Sequence, residues 1–364
     1  MNLTGKILNY FASANTSKGF CNLFSSNLDN LDKIYILKGG PGCGKSTLIK
    51  SIGDEWYNKG YDIEFIHCSS DNDSLDGVII PKIKVAIVDG TAPHVIEPTA
   101  PGAIEEYVNL GVAWDATKLK EHTKDILKIK KHISCCYNNA YKLFEKALVI
   151  HDDWEKIYIE NMDFKKANKL TADVIKKLIG NTKFNKTAII KDRFLGGSTP
   201  KGPVNFVENL TEKVSNRYFV KGRPGSGKST LLKKLVKECK LRGIDAEVYH
   251  CGFDPDSLDM VIMRELDVCI FDSTAPHEYF PTKENDFVID MYTELITPGT
   301  DEKYANNLSV IQSKYKEVIS KATLYLAKAK SYHDDLEKIY INTIDFNKID
   351  DIKQSLVDLI KTFE

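Results

Sequence analysis

The chain is one unit written twice, and no other feature limits its possible folds so severely. Residues 34–99 align without a gap on residues 217–282 at an offset of 183, and about half of the aligned positions are identical. "HCSSDNDSLDGVI" answers "HCGFDPDSLDMVI", and "VAIVDGTAPH" (85–94) answers "VCIFDSTAPH" (268–277). Upstream, "FASANTSKG" (11–19) matches "FLGGSTPKG" (194–202); downstream, "HDDWEKIYIENMDF" (151–164) matches "HDDLEKIYINTIDF" (333–346) at an offset of 182. A period this long marks a duplicated domain and not a solenoid, whose repeats run to roughly 20–50 residues. The first copy spans 1–183 and the second 184–364, each long enough to bury a core of its own.

Each copy opens with strands alternating with helices. "KIYILKG" (33–39) reads as a strand, Gly44 to Lys59 as a helix, "DIEFIHC" (62–68) as a strand, "DSLDGVIIPKI" (73–83) as a helix or turn, and "VAIVDG" (85–90) as a strand. This alternation predicts parallel βαβ units, hence an α/β fold with a parallel sheet flanked by helices. The rest of each copy differs: it is rich in Lys, Glu, Leu, Ile and Ala, with apolar residues at helical spacing, as in "YKLFEKALVIHDDWEKIYI". Each α/β core (1–115 and 184–302) therefore carries a long helical arm (116–183 and 303–364), expected to be a hairpin.

The charged content of 28% and hydrophobic content of 42% are those of a globular protein. No apolar run approaches the roughly 18 residues of a membrane span, and "MNLTGKILNYF" lacks the apolar stretch of a signal peptide, so the cytoplasm is the expected compartment. A net charge of −1 gives no general attraction to nucleic acid, and eight scattered cysteines form neither a zinc pattern nor a disulfide framework. Only five arginines occur, none before residue 193.

The chemistry concentrates in a pattern that occurs once per copy. "GGPGCGKST" (39–47) and "GRPGSGKST" (222–230) both satisfy G-x-x-x-x-G-K-[ST], directly after an apolar strand and at the start of a helix. Glycine lets the backbone wrap closely enough for N–H groups to face phosphate oxygens, and the helix N-terminus favours the negative charge. The ligand cradle is thus Gly39, Gly40, Pro41, Gly42, Cys43, Gly44, Lys45, Ser46 and Thr47. Its second copy is Gly222, Arg223, Pro224, Gly225, Ser226, Gly227, Lys228, Ser229 and Thr230. Lys45 and Lys228 would reach the β/γ-phosphates of ATP, while Ser46 and Ser229 place a hydroxyl on Mg²⁺. Asp89 and Asp272, each closing an apolar strand, have the position of a Walker B carboxylate that holds the same ion.

Many ATPases follow that aspartate with a glutamate; here Gly90 and Ser273 follow. Two repeated groups are candidates for the missing base: His94 and His277 of the TAPH turn, and the acidic run Asp71, Asp73, Asp76 with its counterparts Asp254, Asp256, Asp259. Asp71 and Asp254 are the freer carboxylates of that run, because "DSLD" reads as a helix cap beginning at Asp73. Each histidine could instead anchor its turn. His67 beside Cys68, and His250 beside Cys251, could form Cys–His dyads, but a packed strand end is the simpler reading. In "HDD" of the arm, His151, Asp152 and Asp153 point to different sides of a helix and cannot all ligate one metal. Arg193 and Arg223 are the candidate arginines for stabilising a transferring phosphoryl group.

These motifs resemble the P-loop NTPase superfamily over nearly the whole chain. More narrowly, the duplicated set "KGGPGCGKSTLIK", "HCSSDNDSLDGVI" and "VDGTAPH" is similar to a family of tandem P-loop proteins of Gram-positive spore-forming bacteria, labelled ATPases or nucleotide kinases. The resemblance implies ATP and magnesium at Lys45, Ser46, Asp89 and their second-copy partners. Three functions are consistent with it: an ATPase whose nucleotide state moves the helical arms, a kinase of small molecules or nucleotides, and a non-hydrolysing scaffold. The first is favoured by the symmetry, with the two halves completing each other's sites and the arms open to a protein partner.

Overall fold

The computed structural model describes residues 5–275 and 278–364. The first half contains β1 (Ile7–Tyr10), β2 (Ser13–Thr16), β3 (Gly19–Asn22), α1 (Phe24–Leu28), β4 (Lys33–Lys38), α2 (Lys45–Asn58), β5 (Ile63–His67), β6 (Leu75–Ile80), β7 (Val85–Asp89) and β8 (Glu105–Asn109). Its helical part comprises α3 (Ala116–Glu121), α4 (Thr123–Ile159) and α5 (Phe164–Ile179). The second half repeats the order as β9 (Ile190–Phe194), β10 (Gly196–Thr199), β11 (Gly202–Asn205), α6 (Val207–Thr211), β12 (Asn216–Lys221), α7 (Lys228–Arg242), β13 (Ala246–His250), β14 (Leu258–Met263), β15 (Val268–Asp272) and β16 (Asp286–Asp290). It closes with α8 (Met291–Leu295), α9 (Thr300–Lys303), α10 (Ala305–Ile341) and α11 (Phe346–Lys361).

Each half builds a six-stranded sheet, in the orders β1-β5-β6-β7-β4-β8 and β9-β13-β14-β15-β12-β16. The sheets are mixed and not wholly parallel: β6 runs antiparallel between β5 and β7, and β14 between β13 and β15. Within "DSLDGVIIPKI", Leu75–Ile80 thus form a strand where a helix or turn is expected, while Asp73 lies in a turn and Pro81–Ile83 form a short 3-10 helix. The strand's β-branched end is buried on both faces, Val78 and Ile80 toward α2 and Ile79 away from it, an environment that suits a central strand. The antiparallel insertion leaves β7 directly beside β4, and β15 beside β12.

Period-two alternation sorts the strand residues between cores. Tyr35 and Leu37 of β4 face α2, whose Leu48, Ile49, Ile52 and Trp56 cover them. Ile34 and Ile36 face the other way, into a core that also holds Phe219, Tyr249, Ile262 and Phe271 of the second half, with Phe24 and Leu28 of α1 and Val207 and Leu210 of α6. The halves are therefore fused through a common core in addition to their own. Arg193 lies in this junction, fully buried over the Tyr10 ring; it donates to Glu64 Oε2 (2.6 Å) and Asn27 Oδ1 (2.8 Å) and lies 3.7 Å from Glu247. It binds the halves together and is not presented to either glycine-rich loop.

The arms are not self-contained hairpins. At 37 residues and 1.5 Å per residue, α4 and α10 each span about 55 Å, enough to cross from their own half to the other. They pair with each other, Ala140 and Phe144 burying against Ala322 and Leu326, and the run of contacts from His132–Tyr332 to Trp154–Tyr315 makes them antiparallel. Beyond this crossing, α5 packs Val174, Leu178 and Ile179 onto the core of the second half. Reciprocally, α11 packs Ile349, Leu356, Val357 and Ile360 onto that of the first. Asp163 and Asp345 cap these terminal helices, accepting N–H groups of Lys165 and Asn347 respectively. Among the described residues, no helix is long and apolar enough to cross a membrane.

Candidate functional site

Each glycine-rich loop links the strand bearing no acid (β4, β12) to the helix that starts with its lysine (α2, α7). Gly42 (φ +68°) and Gly44 (φ +80°), with Gly225 (φ +75°) and Gly227 (φ +91°), hold left-handed backbone that non-glycine residues disfavour. Lys45 folds back to donate to Gly40 O at 2.9 Å and lies 3.5 Å from Asp89 Oδ2 at the end of the neighbouring strand. Lys228 repeats this, donating to Arg223 O at 2.9 Å and lying 3.6 Å from Asp272 Oδ2. The other oxygen of each aspartate is fixed by the TAPH threonine: Asp89 Oδ1 accepts from Thr91 N (2.8 Å) and Oγ1 (2.6 Å), and Asp272 Oδ1 from Thr274 N (3.0 Å). That role of threonine is visible in the sequence only as its repetition. Ser46 Oγ accepts from Leu75 N at 2.9 Å and Ser229 Oγ from Leu258 N at 3.0 Å, which anchors β6 and β14 to the loops.

The remaining acids separate into two kinds. Asp71 closes a turn, accepting from Asp73 N (3.1 Å) and Ser74 Oγ (2.8 Å), and it meets Lys330 of α10 at 3.2 Å. Burial works to raise its carboxyl, but these donors outweigh it and hold the group below the ordinary carboxylate value. Asp254 forms the same turn with Asp256 N (3.3 Å) and Ser257 Oγ (2.7 Å). Asp73 caps no helix; it is exposed and pairs with Lys201 of the opposite half at 2.8 Å, while Asp256 pairs with Lys18. By contrast Asp76 and Asp259, on the inserted strands, are buried, and each has one carboxylate oxygen without a hydrogen-bond partner. Burial, reinforced by the Asp272 charge, pushes the Asp259 carboxyl up to about 7; burial likewise raises Asp76. The sequence signal for this second kind was the apolar run that follows each residue, which marks a strand entering the core.

His94 is buried, stacked on Phe24 with centroids 5.7 Å apart, and its Nε2 lies 3.8 Å from Asp76 Oδ1. Its nearest acid is thus that of the inserted strand. His277 lies outside the described residues. His67 and His250 are packed strand ends: His67 contacts Asn9 (2.8 Å) and the Phe206 ring, and burial drops it to about 4, while His250 is held between Asp192 (2.9 Å) and Pro255 O (2.7 Å). Burial also raises the thiols of Cys68 and Cys251 well above their usual value, which keeps them protonated and removes the dyad chemistry.

The crossing helices complete both sites from the opposite half. A Cβ on Gly42 would fall 3.1 Å from Glu337 O of α10, and one on Gly225 would fall 2.6 Å from Glu155 O of α4. Gly40 accommodates Trp114 and Tyr340, whose atoms would lie 3.1 and 2.9 Å from a Cβ there. Its counterpart Arg223 instead points away to Asp301 (2.8 Å) and over the Tyr292 ring (5.0 Å). In "HDD", Asp153 takes no part in a common cluster, but His151, Asp152 and Glu155 bring ligand atoms within 4.8 Å of one another, as do His333, Asp334 and Glu337. Over the second loop the assembly encloses a cavity of about 1080 Å³, which reaches Lys228, Ser229, Asp259 and Asp272.

No protein-family model, curated protein or solved structure matches the chain. The architecture is that of a mixed α/β protein with two six-stranded sheets.

Proposed function

We propose that the protein is a P-loop nucleoside triphosphatase that binds Mg-ATP at two sites, each made from the loop of one half and the long helix of the other. The observation that carries this reading is the repeated triad of a helix-initial lysine, a strand-terminal aspartate within 3.6 Å of it, and a serine hydroxyl on the next helical residue. In this reading the loop N–H groups bind the phosphates, and Lys45 and Lys228 exchange their carbonyl partners for phosphate oxygens. The donor set suits a hard divalent cation: Ser46 Oγ with Asp89 Oδ2, and Ser229 Oγ with Asp272 Oδ2, are all oxygens, and Thr91 and Thr274 orient the two carboxylates. Magnesium there would neutralise charge on the transferring phosphoryl group. With Gly90 and Ser273 following the aspartates, no glutamate stands next in the chain to polarise water, so turnover is expected to be slow.

Because α4 and α10 run from one site to the other, ligand at either loop bears on the same pair of helices. Phosphate release from Mg-ATP by the wild type, Lys45→Ala and Lys228→Ala tests the proposal. Turnover that requires both lysines supports coupled sites; ATP binding that survives both substitutions together refutes the assignment of the loops.

A further inference from the structure

The two sites are built from one repeat yet differ where the crossing helices meet the acidic turns. Four rings gather beside the second loop: His151 and Trp154 of α4, Phe253 in the turn after β13, and Tyr315 of α10. Their centroids stand 5.7 Å apart for Phe253–Tyr315, 5.8 Å for His151–Tyr315, 6.1 Å for His151–Phe253 and 6.2 Å for Trp154–Tyr315. All four line the cavity and remain partly exposed within it. Phe253 directly precedes Asp254, so the rings and that carboxylate share one wall.

In the first half the repeat puts Ser70 in place of Phe253, Leu336 in place of Trp154 and Ile133 in place of Tyr315, keeping only the histidine, as His333. The acid is treated differently as well. Lys330 reaches Asp71 at 3.2 Å, whereas Leu148 stands at the matching position of α4, so no lysine approaches Asp254 from there. Two independent changes, one in the rings and one in the lysine, thus distinguish the second site from the first at corresponding places.

The cavity of about 1080 Å³ lies just above the roughly 300–1,000 Å³ common for small-ligand pockets, and leaves room beside a nucleoside triphosphate. Planar heteroaromatic rings stack on such side chains, and a carboxylate beside them accepts hydrogen bonds from ribose hydroxyls. We infer that the second-half site, and not the first, binds a second ligand of the nucleoside class alongside the triphosphate, its base against the Phe253–Tyr315–Trp154 rings and a hydroxyl toward Asp254. This deepens the nucleotide reading of the same site and rests on it.

The test is calorimetric titration of the full chain, saturated with Mg-AMP-PNP, using adenosine, guanosine, cytidine and uridine and their 5′-monophosphates. One of these is expected to bind with a stoichiometry of one per chain, the nucleoside and monophosphate arms showing whether the added phosphate contributes. Transplanting first-half residues, as Phe253→Ser with Tyr315→Ile, should weaken it at least tenfold. Leu148→Lys, which leaves the rings in place and supplies the lysine that engages Asp71 in the other copy, should weaken it as well, and covers the case in which the double variant fails to fold. Failure of every probe to bind, binding at two per chain, displacement of AMP-PNP by the probe, or affinity unaffected by both sets of substitutions would each overturn the inference. If AMP-PNP itself does not bind, the triphosphate reading fails separately, and the same titrations without it, on wild type and variants, still decide whether the rings hold a nucleoside.

Discussion

Replacing Arg193 by leucine tests whether the two halves are one folding unit. Arg193 is fully buried and serves two acids from different halves, Glu64 at 2.6 Å and Glu247 at 3.7 Å. Glu247 keeps Arg264 as a partner at 2.8 Å, so the group stranded by the substitution is Glu64, left with only the Tyr10 hydroxyl at 2.8 Å. Removing one member of a buried ion pair costs about 3–5 kcal/mol, and because one acid remains neutralised the low end, about 3 kcal/mol, is the expectation here. The pH dependence follows from the same charges. Burial works to raise the Glu247 carboxyl, but Arg193 and Arg264 outweigh it and hold the folded group below its ordinary value. In the wild type this stability is present above the unfolded carboxylate value and fades as pH falls through the lower folded one. In the variant Glu247 loses one of the two arginines that hold its carboxyl down and moves upward, so the penalty is fully developed at neutral pH and shrinks as that acid protonates. Urea denaturation at pH 7 and pH 4.5 should therefore show a deficit that narrows on acidification, with a single transition in the wild type. A loss below about 1 kcal/mol at pH 7, or a deficit that grows toward acid, would refute the reasoning.

Three further outcomes follow from the site. Asp259→Asn removes a carboxyl held at about 7; since a raised acid destabilises the fold above its unfolded value near 4, the variant should unfold at higher temperature than wild type at pH 8, with the gap closing below about pH 4. Gly225→Ala forces left-handed backbone on alanine, costing about 1–2 kcal/mol, and drives its Cβ against Glu155 O, so a thermal melt should show at least that loss and AMP-PNP affinity should fall. Asp89→Asn and Asp272→Asn should raise the magnesium concentration needed for AMP-PNP binding, measured by titration at fixed nucleotide.

What the sequence determined by itself was local and periodic. The offset between copies gave the duplication, the alternating apolar runs gave β4, β5 and β7, and the glycine spacing put Lys45 at the first turn of α2 and Asp89 at the end of a strand, because strand, tight turn and helix are specified by neighbouring residues. Three matters depended on which segments meet, and only the tertiary structure decided them. The strand β6 replaced an expected helix or turn, since the six residues Leu75–Ile80, with an aspartate among them, have no period long enough to choose and burial between β5 and β7 chose for them. Asp76 and Asp259, not Asp71 and Asp254, became the acids with an unpartnered buried oxygen, because cross-strand position and not chain position sets burial. The arms crossed between halves because a 37-residue helix outreaches its own sheet and its apolar stripe is matched by its own duplicate. An amphipathic stripe records that a partner exists; which partner is settled by the packing of the whole chain.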